Sequence, residues 1–225
     1  MKMNVRNKTF LIVSGVFFFL FLMVVFITTS NSGFVLDETV AYWADQNQTA
    51  WLMKLMEIAS VIGSSEMVLI ITVIIGLVFL IRRSWRHFFF FFVVSVGGVV
   101  LNLGLKMLIQ RARPGDEAKF IEVFNYSFEL QSYSFPSGHT MRATILFLFL
   151  IYLTIYVLKK VSIKIILTVL FLGTLVSVAL SRIMLDAHFV TDVLGAVVVS
   201  IAWFFLCLYF FYRPKQTGYM GYLHR

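Results

Sequence analysis

The chain is short of charge. Only 13% of its 225 residues are Asp, Glu, Lys or Arg while 60% are hydrophobic, which excludes an ordinary soluble domain and places the chain in a membrane. It has a single cysteine, Cys207, so no internal disulfide can form, and its place in an apolar run reads as packing or lipid-facing. No stretch rich in Pro, Gly or Ser is long enough to link two domains. No repeat or low-complexity tract occurs beyond the run Phe88 to Phe92, which reads as packing or lipid-facing surface. The expectation is one membrane-embedded domain over residues 1–225, with a tail from about residue 213. The net charge of +8 does not point to nucleic acid, because the Lys and Arg residues flank apolar runs instead of forming a patch on a soluble surface.

What the chain has in quantity is long apolar runs. A helix needs about 20 mostly apolar residues to cross a bilayer core. Six stretches approach that length: Phe10 to Thr28, Met67 to Ile81, Phe88 to Leu108, Thr140 to Leu158, Ile163 to Leu180 and Phe189 to Tyr212. The second is short and reads as starting nearer Ile62. The first follows Lys2, Arg6 and Lys8 as a signal peptide would, but its apolar core is too long and no small-residue cleavage site follows, so it reads as an uncleaved span. The segment Thr49 to Ser60 reads as an amphipathic helix lying at the interface. The fold class expected is all-α, a bundle of six transmembrane helices.

Basic residues orient the bundle. Lys2, Arg6, Lys8, then Arg82, Arg83, Arg86, then Lys159, Lys160, Lys164, and finally Arg213, Lys215, Arg225 occupy alternate connections, and none of the 11 acidic residues joins them. Lys and Arg are enriched on the cytoplasmic side, so both termini are expected there. Every acidic residue, with the other basic ones, then falls on the opposite side.

Three clusters sit on that opposite side. Lys106, Arg111, Arg113 and Pro114 stand at the end of the third span. Lys106 and Arg113 are seven apart, which on a helix puts both cations on one face; snorkelling at a helix end is the plainer reading. Phe135-Pro136-Ser137-Gly138-His139-Thr140 precedes the fourth span, with Ser137 a natural N-cap and Gly138 permitting close approach to the exposed N–H groups of the first turn. A simple cap with an incidental histidine is the alternative. Ser181-Arg182, His188 and Asp192 bridge the fifth and sixth spans. Asp192, four residues after His188, can hold one imidazole nitrogen and leave the other free, as a nucleophile or base requires, although a self-satisfied polar pair would look the same.

The six-span topology brings all three clusters to one depth, and three incidental placements at one level are improbable. Three cations, a helix N-terminus and two histidines describe a phosphate site with nucleophilic or acid–base chemistry. Metal ligation by His139, His188 and Asp192 competes with that reading, but Lys106, Arg113 and Arg182 would repel a cation. Arg111, Arg142 and Asp186 lie nearby and are not taken as site residues; Arg142, one turn into the fourth helix, is placed to meet a lipid headgroup, although a simple interface charge is the plainer reading. His87 and His224 fall on the cytoplasmic side.

Together the clusters resemble the type 2 phosphatidic acid phosphatase (PAP2) superfamily, whose signature is K-x6-R-P, P-S-G-H and S-R-x5-H-x3-D. All three parts are intact, at Lys106 to Arg113-Pro114, Pro136 to His139, and Ser181-Arg182 to His188 to Asp192. The resemblance implies a two-step displacement without metal or other cofactor: His188 as nucleophile, Asp192 orienting it, and His139 protonating the leaving oxygen. Lys106, Arg113, Ser137, Gly138 and Arg182 would hold the phosphate. It also implies a lipid phosphate substrate at the outer face of the cell membrane. Phosphatidylglycerophosphate, undecaprenyl diphosphate and phosphatidic acid are all admitted, because the signature does not separate them. An anion transporter is the rival reading, weakened because the charges gather at one end and no Gly/Pro-broken helix pair is evident. A non-catalytic lipid-binding protein is weakened by the intact pair His188 and Asp192. The sequons at Asn47 and Asn125 matter only in a eukaryotic secretory route.

Overall fold

The structure is a computed structural model and describes residues 5–114, 119–123, 126–130 and 133–211; the expected basic tail and the Asn125 sequon lie outside the described residues. Its helices are α1 (Val5–Thr28), α2 (Asn31–Gln46), α3 (Ala50–Ile62), α4 (Ser65–Ile81), α5 (Trp85–Ile109), α6 (Gly138–Val157), α7 (Val161–Met184) and α8 (Val190–Phe211). A short antiparallel hairpin, β1 (Lys119–Val123) and β2 (Tyr126–Leu130), stands in the connection between α5 and α6. The fold is all-α in its bundle, as the composition requires.

Over its described residues each of the six expected spans falls on a helix, with Leu158 and Phe189 just outside α6 and α8. Among the described residues, five helices are each long and apolar enough to cross a bilayer. α4, which holds the expected span Met67 to Ile81, meets the same test only when taken with α3, from which it is bent by 41°. α4 begins at Ser65 because Ser64 caps it, its hydroxyl accepting from the Met67 N–H at 3.2 Å, with Glu66 in the first turn beside the positive end of the helix dipole. The stretch Thr49 to Ser60, expected to be an amphipathic helix, is helical from Ala50 as α3, and it packs along α7. Gly63 makes that approach possible, since a Cβ there would run into Val178 Cγ1. α2, which no apolar run announces, lies against α1, α7 and α8.

The core forms where α1, α5, α6 and α8 meet. The phenylalanine run divides by helical phase: Phe90 and Phe91 are buried, while Phe89 and Phe92 are exposed on the outer face. Phe91 meets Phe149 of α6 at a ring separation of 4.3 Å. Cys207 is buried among these apolar side chains, so it packs the core and does not face lipid. Polar side chains within the spans satisfy themselves on backbone, as an apolar solvent demands: Thr144 donates to Thr140 O, Ser200 to Ala196 O, and Ser14 of α1 to Ala202 O of α8.

Candidate active site

Four helix ends meet at one end of the bundle: the C-termini of α5 and α7 and the N-termini of α6 and α8. Backbone hydrogen bonds join the segments between them. Ser134 N–H donates to Arg111 O at 2.7 Å, which ties the loop before α6 to the exit of α5. Ser137 N–H donates to Asp192 O at 3.1 Å, which ties the same loop to α8. The Arg182 carbonyl accepts from both Ala187 N–H and His188 N–H, at 3.1 and 3.0 Å, and so closes α7 and sets the position of His188.

Asp192 is wholly buried in the first turn of α8. Its Oδ2 accepts from the backbone N–H of Phe189 at 2.9 Å, so the carboxylate caps the helix that carries it. The same oxygen accepts from the Ser134 hydroxyl and lies 3.5 Å from His188 Nδ1; Ser134 Oγ is itself 3.3 Å from that nitrogen. With Nδ1 facing the carboxylate and the hydroxyl, the second ring nitrogen of His188, Nε2, is left for other work. Burial pulls the His188 pKa down to about 4, against the opposing pull of Asp192, so the imidazole is neutral at pH 7.

The other carboxylate oxygen meets a residue that sequence reading set aside. Arg111 Nη1 donates to Asp192 Oδ1 at 2.6 Å and to Thr191 Oγ1 at 2.7 Å, while its Nη2 pairs with Asp37 of α2. Asp37 is 2% exposed and also accepts from Thr191 N–H at 3.0 Å and from its hydroxyl at 2.8 Å. The guanidinium lies over the Phe189 ring, 4.3 Å from its centroid. Arg111 is therefore part of a buried network: one cation bridges two buried carboxylates. Ser134, Asp37 and Thr191 were missed altogether, having no motif to mark them.

The remaining expected residues come to the same end. Ser137 caps α6, its hydroxyl accepting from Thr140 N–H, with Gly138 and the half-buried His139 following in the first turn. Asn102 Nδ2 donates to Pro136 O at 3.1 Å and holds that loop from α5. The Lys106 ammonium, in the last turn of α5, donates to the Tyr133 and Ser134 carbonyls. Arg113 is half-buried on the connection after α5, and burial draws its pKa below the usual guanidinium value. Arg182, in the last turn of α7, donates to the Ser60 hydroxyl of α3. Arg182, Arg142, His188 and Arg113 all lie within electrostatic reach of His139. Asp186 is exposed and stays apart from these contacts, its pKa raised by partial burial and by Asp45. Among the described residues, no group of three or more His, Cys, Asp or Glu side chains is arranged to hold a metal ion.

Such a site can bind a phosphate dianion among fixed cations and present a neutral, oriented imidazole to phosphorus. Residues 86–216 match the PAP2 superfamily. Phosphatidylglycerophosphatase B of Bacillus subtilis (strain 168) is 31% identical over 191 residues, spanning 84% of this chain and 90% of that protein. The crystal structure of a transmembrane PAP2 type phosphatidylglycerolphosphate phosphatase from Bacillus subtilis superposes with a TM-score of 0.72. It is 30% identical, and the match covers 88% of this chain and 94% of that one.

Proposed function

The chain belongs to the PAP2 superfamily and is a multi-pass membrane lipid phosphatase, and from that premise we propose that it cleaves the terminal phosphate of a lipid phosphate through a phosphohistidine at His188, on the extracytoplasmic face of the cell membrane. The observation that carries this reading is the buried imidazole of His188, neutral at pH 7 and backed on Nδ1 by Asp192 and Ser134. His188 Nε2 attacks phosphorus, the bond to the leaving oxygen breaks, and His139 gives that oxygen its proton. Water then attacks the phosphohistidine with His139 taking up the proton, which releases phosphate and restores both histidines.

Lys106, Arg113, Arg182, Ser137 and the Gly138 N–H hold the phosphate oxygens and stabilise the charge that develops in the transition state. Asp192 supports the imidazolium character that forms as His188 bonds to phosphorus. The whole chain acts as one unit, and the basic connections set the site outward. The substrates it admits are phosphatidylglycerophosphate, undecaprenyl diphosphate and phosphatidic acid; the first is the lipid after which the similar solved phosphatase is called.

The test is to trap the intermediate. Purified protein in detergent with excess chelator is given lipid radiolabelled in its terminal phosphate and quenched in alkali. Acid-labile, alkali-stable label on the wild type and none on His188→Ala is expected. Label that persists in His188→Ala would assign the nucleophile elsewhere, and turnover abolished by chelator alone would refute the metal-free route.

A further inference from the structure

Arg142 has no role in the reaction just described, yet it stands beside it. It follows His139 by three residues and Gly138 by four on α6, so all three share one face of the helix. Its side chain folds back toward the start of α6, because a Cβ built on Gly138 would lie 3.4 Å from Arg142 Nη1. The guanidinium is thus level with the loop that caps the helix. Its Nε is buried and has no hydrogen-bond partner, as is also true of Arg182. A buried charged donor left without an acceptor is costly, and native structures seldom keep one without a use.

The nearest carboxylate does not supply that use. Glu66, in the first turn of α4, is exposed; it acts on Arg142 electrostatically but forms no salt bridge with it among the described residues. Asp192 is already engaged by Arg111. Lys106, Arg182 and Arg142 therefore gather three positive charges at this end of the bundle, and Arg113 stands with them. A phosphate monoester brings roughly two negative charges at neutral pH. A lipid whose leaving group carries a second phosphate brings roughly three, one more for the added phosphate.

Position decides which phosphate Arg142 meets. The three oxygens of the transferred phosphate already have Lys106, Arg113, Arg182, Ser137 and the Gly138 N–H to receive them. His139 serves the leaving oxygen, and Arg142 lies one turn beyond it on the same face. We propose that Arg142 is a binding residue for a second phosphate carried by the leaving group, so that the site prefers lipids with two phosphates over those with one. The inference rests on the phosphatase reading above, with His139 on the leaving-group side. Undecaprenyl diphosphate and phosphatidylglycerophosphate both offer such a phosphate, as the adjoining unit of a diphosphate or as a diester across a glycerol. Phosphatidic acid offers none.

The experiment compares kcat/KM of the wild type and Arg142→Gln on these three lipids in detergent. Replacing a forked, charge-assisted contact is expected to lower the ratio of two-phosphate to one-phosphate efficiency about tenfold or more, and Arg142→Lys to restore part of it. The lysine variant, with its charge kept, carries the comparison where the glutamine variant fails to fold. Equal losses on all three lipids would place Arg142 on the transferred phosphate and overturn the proposal, and so would an unchanged ratio. A wild type that releases phosphate from none of the three would instead bring down the phosphatase reading, and the subsite with it.

Discussion

Replacing Arg111 with glutamine strips one cation from between two carboxylates that are 1% and 0% exposed. Breaking a buried ion pair from one side costs about 3–5 kcal/mol, because the surviving charge is left without compensation. At about 2–4 °C per kcal/mol for a chain of this size, the melting temperature in detergent should fall by roughly 6–20 °C. The pH profile should move as well. Asp192 is the group that raises the His188 pKa, and burial is the larger force that holds it near 4. With Arg111 gone, the carboxylate acts undivided on the imidazole, and the acid limb of kcat/KM should rise by about one pH unit. Asp37→Asn gives the decisive comparison. In the wild type it removes a partner of Arg111 and should destabilise; in the Arg111→Gln background it removes an unpaired buried charge and should stabilise. A coupling below about 0.5 kcal/mol in that cycle, with an unmoved acid limb, would refute the bridge.

Three further outcomes are expected. Ser134→Ala removes the hydroxyl that donates to Asp192 Oδ2, and kcat/KM should fall about tenfold with little change in melting temperature; no kinetic effect would mean that Asp192 orients His188 unaided. For the wild type, the limb belonging to the free enzyme's His188 should lie near pH 4, full activity being present above it and lost as the pH falls through it. A limb near 6 that changes with the lipid would belong to the substrate phosphate. Gly195→Ala would drive a methyl group to 2.5 Å from the fully buried Phe135 ring, which has no space to retreat, and overpacking should cost about 1–3 kcal/mol. Because Phe135 leads into the cap of α6, activity should fall more than stability alone would dictate.

The spans were legible in the sequence because each is a local property, an apolar run of the right length bounded by Lys, Arg or a capping serine. The candidate site residues from Lys106 to Asp192 were legible because their spacing is also local, and topology then placed them at one level. What escaped was non-local. Asp37 meets Arg111 across 74 residues and Thr191 across 154, and neither separation leaves a periodic trace. α2 escaped because it is neither long nor apolar enough to read as a span, and its buried carboxylate looks in sequence like any loop acid. Arg142 was seen, with a lipid headgroup as one reading and an interface charge as the plainer one, since only its side-chain direction separates the two.

The carboxylate that backs His188 also closes the first turn of α8 on the Phe189 N–H, and it anchors Arg111 and the loop before α6. In the proposed mechanism, assembly of the bundle and chemistry therefore draw on the same atoms. A descendant of this chain that had given up catalysis could discard His188 at little structural cost, yet it would still need an acid at position 192 for its last helix to begin where it does. On the proposed mechanism Asp192 would thus be kept for folding as well as for turnover, and the histidine is the residue whose presence would separate a working enzyme from its silent copy.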